Sequence, residues 1–304
     1  MFKSVGQRVC AFDLEWVPDA PSGRRVYRLP ESLPDGEVFQ VMWENGGATE
    51  DKPRPYLKTA LCRVVSVAAV IREQSRKGEV TLRLTALPKQ LDQPMAEGEL
   101  IATFLGYVGQ QKPQLVGFNS HTSDFPILLQ RGMVTGIAAK DFCHRPDKPW
   151  EGIDYFSRHT EAHIDIKNLV SGWGIGTPSQ HELAAAMGIP GKMGTDGSSV
   201  VDLWVEGNLR AIVEYNHFDA LTTYLVWLRT ALFAGFFSPE QHQVEEDRVR
   251  DLLHRHIAAG DQHLAQYLEQ WNHFQPQPAD TVAIDLSPIT EGTMAEVAMT
   301  EIAA

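Results

Sequence analysis

The chain has 304 residues, 43% of them hydrophobic and 22% charged, with a formal net charge of −12. This is the make-up of a soluble globular protein, long enough for one large domain with an extension or for two modest domains. No apolar run approaches the ~20 residues that span a bilayer, no charged and apolar leader opens the chain, and the acidic balance argues against tight non-specific binding of duplex nucleic acid through a broad basic face. Cys10, Cys62 and Cys143 are too widely spaced for a disulfide framework or a C-x-x-C zinc site, so a reducing cytoplasm is the expected compartment.

The first element is Val9 to Trp16, in which Cys10, Phe12, Leu14 and Trp16 alternate with Asp13 and Glu15. A period of two predicts a β-strand, with both carboxylates projecting from one face. Side by side they repel and lose solvation. Either they hold a hard divalent cation such as Mg²⁺, which takes oxygen ligands, or they form a solvated strand face; this stretch alone leaves both open. The strand ends at Val17-Pro18-Asp19. Residues 20–60 are rich in Pro and Gly and carry Arg24, Arg25, Arg28, Lys52, Arg54 and Lys58. They read as an insertion or long loop, either solvated or a flap that contacts a polyanion.

Arg63 to Ile71 is a β-branched apolar run, hence a buried strand, and Val80 to Leu87 alternates and should pair beside it. Glu97 to Gln110 has helical spacing at Leu100, Ile101, Phe104, Leu105 and Val108. Leu115 to Phe118 is a short strand, after which a turn leads to a helix opened by Asp124 and running to about Arg131. An Asp there is well explained as a cap or dipole partner, and His121 reads as a surface turn residue. His163 to Ile166 is another short strand, whose Asp165 either supports an acidic site or caps the segment after it. Gln180 to Met187 is a short helix closed by Gly188. The glycine-rich stretch from Ile189 to Ser199 matches neither G-x-x-x-x-G-K-[ST] nor G-x-G-x-x-G. Leu209 to Phe233 is the strongest helix, and within it Tyr215 and Asp219, four apart, share a face. Residues 239–274 form a further helical piece expected to pack on the domain, and residues 275–304, with three prolines and no Lys or Arg, are expected to be a disordered acidic tail.

Taken in order, Phe12-Asp13-Leu14-Glu15, then Gly117-Phe118-Asn119 through Asp124-Phe125-Pro126-Ile127-Leu128, then Tyr215 to Asp219 followed by Leu221-Thr222-Thr223-Tyr224-Leu225, resemble the three motifs of the tyrosine-type DEDD 3′–5′ exonucleases. The chain looks most like stand-alone bacterial members similar to the proofreading domain of family B DNA polymerases. The resemblance covers residues 8 to 237 and extends to the Pro190 to Gly194 loop and the His163 to Asp165 strand. Each motif alone is loose; three in order at these spacings are specific. One departure is Ser123, where an aromatic residue often precedes the second-motif Asp, which bears on how terminal bases are wedged.

The resemblance implies an α/β fold of ribonuclease H type: a mixed five-stranded sheet flanked by helices. The exonuclease domain would be 1–237, with 20–60 inserted, 238–274 a helical extension and 275–304 the tail. It implies hydrolysis of phosphodiester bonds from the 3′ end of single-stranded DNA, assisted by two divalent ions, Mg²⁺ or Mn²⁺. Asp13 would bridge both ions, Glu15 and Asp219 would support the ion that carries the nucleophile, and Asp124 the other through water. Tyr215 would orient the attacking water, since a phenol with a pKa near 10 is a poor base at neutral pH. The histidine-type position is filled by Glu214, and His217 stands elsewhere. Asn119, Phe125, the backbone at Leu14 and Lys192 are the candidate contacts to the substrate. The same chemistry on RNA, or a non-catalytic nucleic-acid-binding module on this fold, are the alternatives; against the module stand four acids for which it has no use. No membrane association is expected.

Overall fold

The computed structural model describes residues 1–91, 93–148, 150–157, 161–171, 176–191, 193 and 199–274. Lys192 and the 275–304 tail therefore lie outside the described residues. Five strands, β1 (Arg8–Pro18), β2 (Cys62–Gln74), β3 (Val80–Leu87), β4 (Gln114–Gly117) and β5 (His163–Asp165), form one sheet in the order β3-β2-β1-β4-β5. β2 runs antiparallel to β1 and β3, whereas β4 is parallel to β1 and β5. This mixed five-stranded sheet, flanked by helices, is consistent with a ribonuclease H-like exonuclease fold.

Both faces of β1 are buried, which is why it reads as apolar on one side and nearly so on the other. Cys10, Phe12 and Leu14 pack with Val67, Ala69 and Ile71 of β2 against α3 (Glu97–Gln111) and α4 (Asp124–Thr135). Val9 and Ala11 face the opposite side, where the 25-residue helix α9 (Leu209–Phe233) lies with Leu221, Tyr224, Leu225 and Leu228 inward. Two more helices, α10 (Pro239–Ala259) and α11 (His263–Phe274), complete that layer. Val249, Leu252, Tyr267 and Trp271 join the same core as Trp227, so the C-terminal helices pack on the sheet domain as their spacing predicts. The ion pair between Arg72 of β2 and Glu245 of α10, 2.7 Å apart and fully buried, ties α10 to the sheet. No described helix is long and apolar enough to cross a membrane.

The region 20–60 differs from the loop expected of it. It contains α1 (Ala20–Tyr27), α2 (Asp35–Asn45) and a 3₁₀ turn, Thr59–Leu61, around a small core of Ala20, Val38, Phe39, Met42 and Trp43. Residues 46–58 are loop, but Pro21, Pro34 and Gly23 serve the helices instead. Asp19 caps α1 by accepting from the Ser22 amide, with a proline in the first turn. Gly23 lets α2 approach, because a Cβ there would sit 2.5 Å from Met42 Sδ. The short helices α5 (Lys140–Cys143), α6 (Ile166–Val170), α7 (Gln180–Ala186) and α8 (Val200–Val205) connect the larger elements.

Candidate active site

The site forms where the sheet opens. β1 pairs with β4 only from Val9 to Ala11. Beyond that point the Leu14 amide has no strand partner on the β4 side. It donates instead to Asp124 Oδ1 at 3.2 Å, which brings the first residue of α4 against β1. Asp124 is thus a side-chain substitute for a missing strand residue.

The loop that delivers Asp124 is fixed from β5. Asp165 accepts from the amides of Asn119 (2.8 Å) and His121 (2.9 Å), and from Lys167 N (3.0 Å) as the cap of α6. Both roles open to Asp165 are therefore served by one buried carboxylate. Asn119 sits at φ +64°, a left-handed turn that Asn tolerates. Gly117 must lack a side chain, since a Cβ would lie 2.4 Å from Ser120 Cβ. Ser120 Oγ lies 2.8 Å from His163 Nε2 beneath the loop. Ser123, placed where an aromatic residue is common, approaches Asp124 Oδ2 (2.6 Å) and the Asn119 carbonyl (2.8 Å); its one proton serves one of them at a time.

α9 brings the third component. Asn216 Nδ2 donates to Ser66 Oγ at 3.0 Å, in the interior. Ser66 is the β2 residue opposite Glu15. The bond adds to the apolar packing that holds α9 on the sheet with Asp219 against β1. Gln180 Nε2 bonds the Asp219 carbonyl at 3.3 Å and Thr223 Oγ1 at 2.8 Å. As a result Asp13, Glu15 and Asp219, about 200 residues apart in sequence, offer carboxylate oxygens all within 4.8 Å of one another. Asp124 lies outside this tight group, close enough to raise the charge cost of Asp13 and Glu15.

The acids of the cluster raise one another's pKa values. Burial holds the Asp13 carboxyl well above the usual range, and Asp124, Asp219 and Glu15 push it further. Glu15 is raised by burial, then by Asp219 and Asp124. Asp124 reaches about 6 through burial, partly offset by hydrogen bonds from Ser123 and the backbone. Asp13, Glu15 and Asp124 make no salt bridge among the described residues. A set of clustered carboxylate oxygens is a hard donor set of the kind that could hold divalent cations such as Mg²⁺ or Mn²⁺. Tyr215, packed against Val17, Val65 and Ile212, hydrogen-bonds Asp219. Its phenol is pushed upward by burial and by the neighbouring acids, so it stays protonated at neutral pH.

The candidate substrate contacts are placed unevenly. The Leu14 side chain is in the core, and only its backbone borders the site. Asn119 Oδ1 accepts from Thr122 Oγ1 (2.7 Å) and Lys167 Nζ (3.1 Å). The half-buried Phe125 ring packs among Phe142, Phe156 and His163. His217 lies 3.0 Å from His263, turned to α11. Sequence reading did not single out Asn216, Ser66 or Gln180. A lone Asn on an otherwise apolar helical face was the available signal.

No curated protein matches the sequence. A family model described as "Predicted 3'-5' exonuclease related to the exonuclease domain of PolB" matches residues 54–271, spanning the second and third motifs, while Asp13 and Glu15 precede the match. With some seven-tenths of its length matched, the chain belongs to this family of predicted 3′–5′ exonucleases.

Proposed function

We propose that the protein is a divalent-metal-dependent exonuclease that removes mononucleotides from the 3′ end of single-stranded DNA, with Asp13, Glu15, Asp124, Tyr215 and Asp219 as its catalytic set. The observation that carries this is the convergence of three carboxylates from β1 and α9, with a fourth brought to β1 by α4. Kinship to the exonuclease domain of a DNA polymerase favours DNA. Four acids supply the charge to hold two dications, with remaining positions left to water and substrate. Bound there, two ions supply charge neutralisation at the phosphodiester and lower the pKa of the attacking water. Asp13, Glu15 and Asp219 would hold one ion, and Asp13 with Asp124 would hold the other. Tyr215 would position the water by turning to it the one hydroxyl proton that it gives Asp219 in this structure, and would not take the water's proton. Residues 1–237 form the catalytic unit, and 238–274 brace it through α10 and α11, which pack in the same layer as α9.

The test uses 5′-labelled oligomers of matched DNA and RNA, single-stranded or blunt duplex, with 3′-hydroxyl or 3′-phosphate ends, and a circular single strand. Mg²⁺ or Mn²⁺ should produce a one-nucleotide ladder from the free 3′-hydroxyl single strand and leave the circle intact. The duplex should resist, because its terminal bases must unstack at a cost of a few kcal/mol. Cleavage of the circle would identify an endonuclease, and a ladder from RNA alone would reassign the substrate.

A further inference from the structure

A pocket of about 330 Å³ lies beside the end of β1, between that strand and the 20–60 region. Trp16, Val17 and Pro18 line it, the residues that come after Glu15 on the same strand. Along the strand they follow Glu15 directly, at a rise of roughly 3.3 Å per residue. A bulge between Glu15 and Trp16 re-aims the strand at this point. Trp43, Lys52, Arg54 and Tyr56 form the opposite wall, and no Asp or Glu lines the pocket, although the chain as a whole carries −12.

The wall is ordered in a specific way. The Arg54 guanidinium lies 5.2 Å over the Trp43 ring and makes two 2.8 Å bonds to Asp202 of α8. It is thereby held in place, and its charge is largely answered. Lys52 is not answered: its ammonium lies 5.4 Å over the Tyr56 ring and pairs with no carboxylate among the described residues. Tyr56 is 85% exposed, a large aromatic face turned to water. Single exposed aromatic residues are common. An exposed ring carrying a cation with no carboxylate partner, on the rim of a pocket that begins one residue from an acidic site, calls for an anionic, flat-faced occupant.

We infer that this pocket is a stacking platform for bases of the single strand that leads to the acidic cluster, with Tyr56 taking a base face and Lys52 a phosphate. The inference rests on the exonuclease proposal and adds to it the means by which single strands are chosen. Base–aromatic stacking is tolerant of sequence, and a cationic groove tracks the backbone. A duplex keeps its base faces stacked on one another and offers none to Tyr56. The helices of the 20–60 region would then serve as a scaffold that presents the platform.

The experiment compares wild type with Tyr56→Ala, Tyr56→Phe and Lys52→Ala on a 5′-labelled oligothymidylate in Mn²⁺, reading KM and kcat separately, and repeats the series on an oligomer with abasic sites in place of the internal bases. Thermal midpoints verify that each variant is folded, as the exposure of Tyr56 leads one to expect. Tyr56→Ala should raise KM about five- to 150-fold, the range of one lost stack. Tyr56→Phe should keep the wild-type KM, because the ring and not the hydroxyl is used. The abasic oligomer should raise the wild-type KM by a similar factor and cost Tyr56→Ala nothing further. Lys52→Ala should make the salt dependence of kcat/KM shallower by about 0.7 in logarithmic slope, the loss of one phosphate contact on a single strand. Wild-type KM and salt slope in both alanine variants, with DNA hydrolysis intact, would overturn the platform and leave the exonuclease standing. Absence of hydrolysis of any single strand by the wild type would overturn both.

Discussion

Asp13 sits where stability and chemistry oppose each other. Its folded-state pKa is raised, chiefly by burial and then by its acidic neighbours. A raised carboxylate contributes stability that is complete below its unfolded pKa near 3.8 and is lost as pH rises through the folded value. At neutral pH without metal, charging Asp13 therefore works against the fold. Asp13→Asn should abolish hydrolysis and yet raise the thermal midpoint in chelator, each kcal/mol being worth about 2–4 °C in a protein of this size. Adding Mg²⁺ or Mn²⁺ should stabilise the wild type more than the variant, since only a site that binds the ion gains from mass action. Paired melting curves at pH 7.5 check this; a lower midpoint for the variant in chelator would contradict it. Tyr215 gives the second residue-scale prediction. With its phenol kept protonated by burial and by Asp219, Glu15 and Asp13, it acts as a donor. Tyr215→Phe keeps the packing against Val17, Val65 and Ile212. The rate should fall roughly 10- to 1000-fold, a loss of a few kcal/mol in the transition state, with KM little changed. Steady-state kinetics decide, and a wild-type kcat would leave Tyr215 as a packing residue.

At the scale of elements, the α10–sheet contact is electrostatic at its centre. Arg72 and Glu245 are both buried, with two hydrogen bonds of 2.7 and 3.2 Å between them. Glu245 has a second cationic partner, Arg248, at 3.0 Å, whereas Arg72 has no other carboxylate among the described residues and only the Phe237 ring at 5.7 Å. Removing the two partners is therefore not equivalent. Glu245→Ala strands a buried guanidinium and should cost about 3–5 kcal/mol. Arg72→Met leaves Glu245 answered by Arg248 and should cost clearly less. Replacing both with apolar residues of similar volume should recover most of the Glu245→Ala loss, as buried pairs commonly allow. Urea titrations of the three variants test the order; equal losses in the two single variants would show that Arg248 does not compensate.

For the whole molecule, acid stability depends on histidines held neutral inside. Burial lowers His163 to about 3, with His121 adding to the effect, and His217 to about 3 for similar reasons. A depressed histidine favours the folded state's neutral form. Its contribution is complete above the unfolded pKa near 6.5 and is lost as pH falls toward the folded value. His163 alone should account for a loss of about 2 kcal/mol between pH 7 and pH 5. The difference in unfolding free energy between wild type and His163→Gln, measured at both pH values, isolates it. A difference that does not change with pH would mean that His163 titrates in the folded protein as it does in the unfolded chain.

The sequence by itself determined the strands and the long helix, because local periodicity encodes them. β3 and α9 begin and end where alternation and helical spacing place them, and β1 reads clearly since its carboxylates interrupt an apolar strand. Three ordered motifs also singled out the candidate acids, of which the structure brings Asp13, Glu15 and Asp219 together. The sequence did not reveal α1 and α2, whose capping prolines and close-approach glycine mimic loop composition. Only the tertiary structure decided the site's geometry. The end of β4 pairing frees the Leu14 amide for Asp124, and the packing of α9 on the sheet brings Asp219 to Asp13 and Glu15. The placement of Tyr56 and Lys52 beside the end of β1 is equally a product of packing. Contacts across about two hundred residues depend on how sheet and helices close on one another, and no local spacing records that.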